Sequence, residues 1–131
     1  MRHKRPSELG NLPVYRKALD ILILSQNISF CLSEDLSSLN SDGKEDPCIY
    51  VSGDIVQHST HLAPHILKVE LEQHEDKKYK HLENLDRLTS KLYSSCRRLE
   101  RSKSKNRDYL PLLRKEIKKF RALKRHWMLS L

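Results

Sequence analysis

Glycine and proline are scarce in this chain, three and five among 131 residues, which excludes collagen-like repeats and Gly-rich disorder. Its three cysteines, Cys31, Cys48 and Cys96, are odd in number and widely spaced. That excludes a disulfide framework and a paired-cysteine zinc knuckle, and it predicts a reducing, cytoplasmic setting. Aromatic residues make up only 6% of the chain. The longest apolar run, Ile21 to Leu24, is far too short to span a bilayer, so no membrane partner is expected. The basic start Met1-Arg2-His3-Lys4-Arg5 is followed by no apolar signal core. No Gly-rich phosphate loop occurs, and no nucleophile sits in an elbow or triad context.

What the chain does have is charge, 32% of all residues, concentrated at one end. From Arg97 to Arg125 there are thirteen Lys or Arg and three acids (Glu100, Asp108, Glu116). That stretch carries +10 against +8 for the whole chain, so the remainder is slightly acidic. A patch of this density attracts polyanions in a salt-dependent way. The plain alternative is a solvated helix face.

The hydrophobic pattern is helical throughout and predicts one domain. Residues 1–11 read as a basic, flexible tail and residues 12–131 as an antiparallel up-down-up-down four-helix bundle. Segment one, Pro13 to Leu36, places Val14, Tyr15, Ala18, Ile21, Leu22, Ser25, Ile28, Ser29 and Leu32 at three- and four-residue spacing. The polar stretch from Ser37 to Asp46 contains Gly43 and reads as a loop. Segment two starts with Asp46 as cap and Pro47 in the first turn, and runs to about His74. Its stripe is Cys48, Val51, Ile55, Leu62, Ile66 and Val69, and Pro64 should kink it. Segment three, from about Glu75 to Arg101, carries Tyr79, Leu82, Leu85, Leu92, Cys96 and Leu99, widened by Leu88 and Tyr93. Segment four starts with Asp108 as cap and Pro111 in its first turn. Its stripe is Leu113, Ile117, Phe120, Leu123 or Lys124, and Trp127.

The candidate nucleic-acid-binding residues follow from the charge map. Arg97, Arg98, Arg101, Lys103, Lys105 and Arg107 ring the turn between segments three and four. Arg114, Lys115, Lys118, Lys119, Arg121, Lys124 and Arg125 run along segment four. Arg114, Lys118, Arg121 and Arg125 share one helical face, which a nucleic-acid backbone can follow. Such contacts read phosphate rather than sequence. About six of them would make affinity fall roughly 10³-fold or more between 50 and 200 mM salt.

Two other clusters invite a chemical reading. His58, His61 and His65 lie on one helix, and the last two are spaced to grip a metal from one face. Pro64 disturbs that geometry and no H-E-x-x-H glutamate accompanies it, so polar-face histidines are the simpler expectation. Protonated, they would add to the field that attracts polyanions. Glu70, Glu72, Glu75 and Asp76 crowd one junction, where acids near a helix start are electrostatically favoured without any catalytic role. Neither a cofactor nor a metal is expected, and the chain reads as a non-enzyme.

Four stretches resemble a known family. Leu-Pro-Val-Tyr-Arg-Lys-Ala-Leu-Asp-Ile-Leu (Leu12 to Leu22) resembles helix one of the four-helix-bundle proteins encoded in 23S rRNA intervening sequences. It is also similar to the related accessory variability determinant (Avd) proteins of diversity-generating retroelements. Ser59 to Ile66, Tyr79 to Leu92 and Ile117 to Trp127 resemble helices two, three and four of that family. The intervening-sequence branch carries Asn-Ile-Ala-Glu-Gly after the helix-two proline, whereas this chain has His65-Ile66-Leu67-Lys68-Val69, which points to the Avd-like branch. The resemblance implies a non-enzymatic accessory protein and a homo-oligomer, a pentamer. It further implies binding to a reverse transcriptase and its template RNA in support of error-prone cDNA synthesis, with single-stranded DNA as a further ligand. The other branch implies a nucleic-acid or protein adaptor without a retroelement partner. Leu19, Ile23, Leu24 and Leu71 fall off the main stripes and are the residues expected to face neighbouring subunits.

Overall fold

The computed structural model describes residues 6–36, 43–44, 46–101 and 108–131. Most of these residues are helical, and no strand occurs among them. The elements are α1 (Pro6–Leu9), α2 (Pro13–Asp35), α3 (Cys48–Thr60), α4 (Leu62–Leu71), α5 (Glu75–Leu99) and α6 (Leu110–Met128). The short α1 lies in the stretch expected to be a tail, and its Leu9 is buried. Residues 1–5 lie outside the described residues.

Segment one is continuous, as its uninterrupted stripe predicts. Pro13 opens α2, where a missing N–H removes no intrahelical bond. Segment two begins one residue later than expected: Pro47 occupies the cap position rather than the first turn, and the Asp46 carboxylate before it accepts the Cys48 backbone N–H at 2.9 Å. Its interruption falls at His61, three residues before the proline expected to cause it. Pro64 has no N–H to offer the Thr60 carbonyl, and its ring crowds that same carbonyl, so the defect appears one turn upstream. The His61 N–H turns back to the His58 carbonyl at 3.2 Å, and the His65 N–H resumes the helical ladder onto His61 at 3.3 Å.

Segment four starts at Leu110, with Pro111 in the first turn. Asp108 does not cap it: Tyr109 occupies the cap position, and no side chain there accepts a backbone N–H. Tyr79, expected on the stripe of α5, is 64% exposed, and its neighbour Lys78 is buried instead. The stripe of α5 therefore runs through Lys78, Leu85, Thr89, Leu92, Cys96 and Leu99.

All long elements pack on a single core that includes Ile21, Leu32, Ile55, Leu62, Leu92 and Phe120. Polar contacts tie the helices to one another. Lys17 of α2 donates to Glu116 of α6 at 2.7 Å. Trp127 Nε1, near the end of α6, donates to Glu70 near the end of α4 at 2.6 Å. Cys96 Sγ of α5 donates to the Leu110 carbonyl at the start of α6, and burial pushes its thiol up to about 12. That cysteine is an inert core residue. Cys31 and Cys48 are half-buried and form no disulfide among the described residues.

Candidate nucleic-acid interface

The apolar residues of α6 decide which of its cations reach solvent. Leu110, Leu113, Ile117, Phe120, Lys124 and Trp127 are buried at alternating three- and four-residue steps. That phase turns Lys115, Lys118, Lys119 and Arg125 outward, and leaves Arg114 and Arg121 half-buried at the flank.

The cations are not equivalent. Arg114 pairs with Glu100 at 3.3 Å, and Lys119 with Glu116 at 3.4 Å. Lys124 departs furthest from its expected role. It is 8% exposed, and its ammonium group pairs with Asp86 of α5, so it holds α6 against α5 rather than meeting a phosphate. Burial, and secondarily the charge of Arg125, pushes the Lys124 ammonium below the usual lysine range.

Arg121 lies over the Tyr93 ring, 5.0 Å from its centroid, and one guanidinium nitrogen is 3.4 Å from Ser90 Oγ. A guanidinium fixed this way loses little further freedom on meeting a phosphate. Lys118 and Arg125 form no ion pair among the described residues, and with Arg121 and Lys124 they line a shallow groove. Sequence alone did not connect Arg121 with Tyr93 and Ser90, because the contact depends on how α6 packs against α5; Ser90 is 31 residues away along the chain.

The remaining candidates divide in two. Arg97, Arg98 and Arg101 are exposed at the C-terminal end of α5. Arg97 and Arg98 lie in the last turn, where positive charge is favoured by the helix dipole without any ligand. Lys103, Lys105 and Arg107 lie outside the described residues. The aromatics among the α6 cations are structural: Phe120 is fully buried and Trp127 nearly so. Neither face is open to a nucleic-acid base.

The histidines sit elsewhere. His61 and His65 border a groove between α4 and α5 together with Asn84, Arg87, Leu88 and Lys91. His65 Nδ1 is 2.9 Å from the His61 carbonyl oxygen. Burial pushes the titration of both His58 and His65 below the ordinary imidazole range. These two therefore add less charge on mild acidification than free imidazoles would. No group of three or more potential metal ligands occurs among the described residues.

Of the apolar residues expected to face neighbours, Leu19 is 37%, Ile23 57% and Leu71 63% exposed, whereas Leu24 packs partly against the core. Phe30, two-thirds exposed, lies on the same face of α2 as Leu19 and Ile23. No helix among the described residues is long and apolar enough to cross a membrane. Comparison with known proteins finds no matching family model, no similar curated protein and no matching solved structure.

Proposed function

We propose that this chain is a non-enzymatic accessory protein that binds the phosphate backbone of RNA along α6. The observation that carries the reading is the line of Lys118, Arg121 and Arg125 on one helical face, bordering a shallow groove. Two of these cations have no ion-pair partner among the described residues, and the third is oriented by Tyr93. The resemblance to Avd-like proteins supplies the partner: a reverse transcriptase whose error-prone cDNA synthesis the protein supports.

The helices form an antiparallel up-down-up-down bundle in this reading. The contacts that support it join the start of α2 to the middle of α6 (Lys17 and Glu116) and the end of α5 to the start of α6 (Glu100 and Arg114). Assembly into a cyclic homo-oligomer, a pentamer, is supported by the apolar face of α2 formed by Leu19, Ile23 and Phe30.

The test is binding of single-stranded RNA and DNA to the wild type and to the triple variant Lys118→Gln/Arg121→Gln/Arg125→Gln. Loss of binding with unchanged helical content and oligomer size is the expected result. Binding that survives with its salt dependence intact overturns the reading and leaves the ridge as a solvated face. RNA binding without capture of a reverse transcriptase would instead assign the adaptor role.

A further inference from the structure

The four histidine-bearing and cationic positions between α4 and α5 form a site that the α6 ridge does not use. His61 and His65 are one turn apart at the start of α4; Arg87 and Lys91 are one turn apart on α5. They border one groove, with Asn84 and Leu88 completing its wall, and no carboxylate lines it among the described residues. Asp86, Ser90 and Tyr93, which meet α6, project from a different side of α5. Two permanent positive charges facing two imidazoles is an arrangement that repels a divalent cation and attracts an anion.

We propose that this groove is a second anion site, separate from the α6 ridge, which holds a phosphate-type oxyanion and takes up a proton on doing so. The chemistry rests on one hydrogen bond. A carbonyl oxygen can only accept, so the 2.9 Å contact to the His61 carbonyl puts the hydrogen of neutral His65 on Nδ1. Its Nε2 is left with a lone pair. Protonation at Nε2 keeps the existing bond and creates a second donor for an oxyanion held by the Arg87 guanidinium and Lys91 ammonium.

The charges around His65 explain why a ligand shifts its proton affinity. Burial lowers it most; the backbone bond to His61 opposes that, and Lys68, His61 and His81 lower it further. His58, two turns upstream of His65, is lowered first by burial and then by Lys91 and His61, against the pull of Asp54. Its buried Nδ1 has no hydrogen-bond partner among the described residues. Among the other carboxylates nearby, Glu72 faces His81 at 3.7 Å, and Glu83 and Asp86 border a neighbouring groove with Arg87. An oxyanion in the groove brings negative charge to the side where the neighbours are positive. It therefore raises the proton affinity of His65, and by linkage the anion binds more tightly as pH falls.

Sulfate is the suitable probe, since unlike phosphate it stays doubly charged across the imidazole range. The full-length protein is followed by imidazole nitrogen–proton NMR from about pH 5 to about pH 8, in sulfate and in chloride at equal ionic strength. The expected result is an upward shift of the His65 titration by about half a unit, equal to about threefold tighter sulfate binding in the protonated form. Arg87→Gln/Lys91→Gln abolishes the shift; both residues are exposed, so the fold is retained. Lys118→Gln/Arg121→Gln/Arg125→Gln preserves it, which separates this site from the ridge. No shift in sulfate, or a shift that persists in the Arg87/Lys91 variant, overturns the proposal. So does an equal shift at the exposed His74 and His126. A short RNA that produces the shift at micromolar concentration identifies the oxyanion as a nucleic-acid phosphate. A response to millimolar sulfate with none to the RNA restricts the site to a small, free oxyanion.

Discussion

The salt dependence of RNA binding can be calculated from the pairing of the α6 cations. Arg114, Lys119 and Lys124 are already engaged by Glu100, Glu116 and Asp86. Lys118, Arg121 and Arg125 remain on one face; Lys115, exposed and also without an ion pair among the described residues, lies off that face. At a rise of about 1.5 Å per residue they span roughly 10 Å of helix, room for two or three phosphates of an extended strand. Three neutralised phosphates give a slope of log affinity against log salt of about −2 for a single strand. Affinity should then fall about twentyfold between 50 and 200 mM salt. About six contacts would instead lose roughly 300-fold on a single strand, and roughly 10³-fold on a duplex, where each phosphate counts for more. The measurement is fluorescence anisotropy of a labelled single-stranded RNA at several salt concentrations, for the wild type and for the triple variant with glutamine at 118, 121 and 125. The wild type should show the shallow slope and the variant almost none. A slope near zero in the wild type would refute phosphate contact. A slope steeper than about −4 would mean that Arg97, Arg98 and Arg101 or other cations carry the binding, and the α6 count would be wrong.

Further expectations concern stability. Gly53→Ala should stabilise the protein by about 0.5–1 kcal/mol in urea unfolding, because the exposed helical Gly53 has nothing within 4 Å of an added Cβ. Destabilisation would show that the site is covered, for instance by another subunit. Ser25→Ala should also stabilise, by about 1 kcal/mol, since the buried Ser25 hydroxyl has no hydrogen-bond partner among the described residues; a loss of stability would mean that the hydroxyl is satisfied in solution. Glu116 is held below the usual carboxylate range, first by the Lys17 hydrogen bond, with burial opposing. Its contribution is present above the unfolded-state value of about 4.3 and is lost as pH falls through the lower folded value. Glu116→Gln should therefore flatten the decline in the urea midpoint on acidification below about pH 4.3, and an unchanged pH profile would exclude the linkage.

The helical stripes were legible because their spacing alone selects the buried face: Ile21, Leu32, Leu92 and Phe120 are fully buried where the pattern puts them. Failures occurred where neighbouring positions fit the spacing equally well. Tyr79 and Lys78 compete at the start of α5, and Leu82 and Leu85 set a phase that buries Lys78, whose aliphatic stem can lie along apolar surface. Leu123 and Lys124 compete on α6 in the same way, and Lys124 is the buried one because Asp86 stands opposite. Such choices depend on the partner helix, which periodicity does not contain. The basic ridge was visible as composition, but its ion pairs were not, since Glu100 and Asp86 are brought to it by packing. The histidine pair was visible too, whereas Arg87 and Lys91 join it only across two helices.

Trp127 is the chain's only tryptophan, and its indole is nearly buried with its N–H on Glu70. The protein consequently contains a built-in optical reporter at the seam where the end of α6 meets the start of α2 and reaches Glu70 of α4. Its emission reads the docking of this end of α6 without any label. Because the indole lies two residues from Arg125 on α6, its response to added RNA is a local signal from one end of the ridge. Undocking of that seam by heat or denaturant will redden the emission, and comparison with the loss of circular dichroism will tell whether this end of α6 detaches before the rest of the chain unfolds.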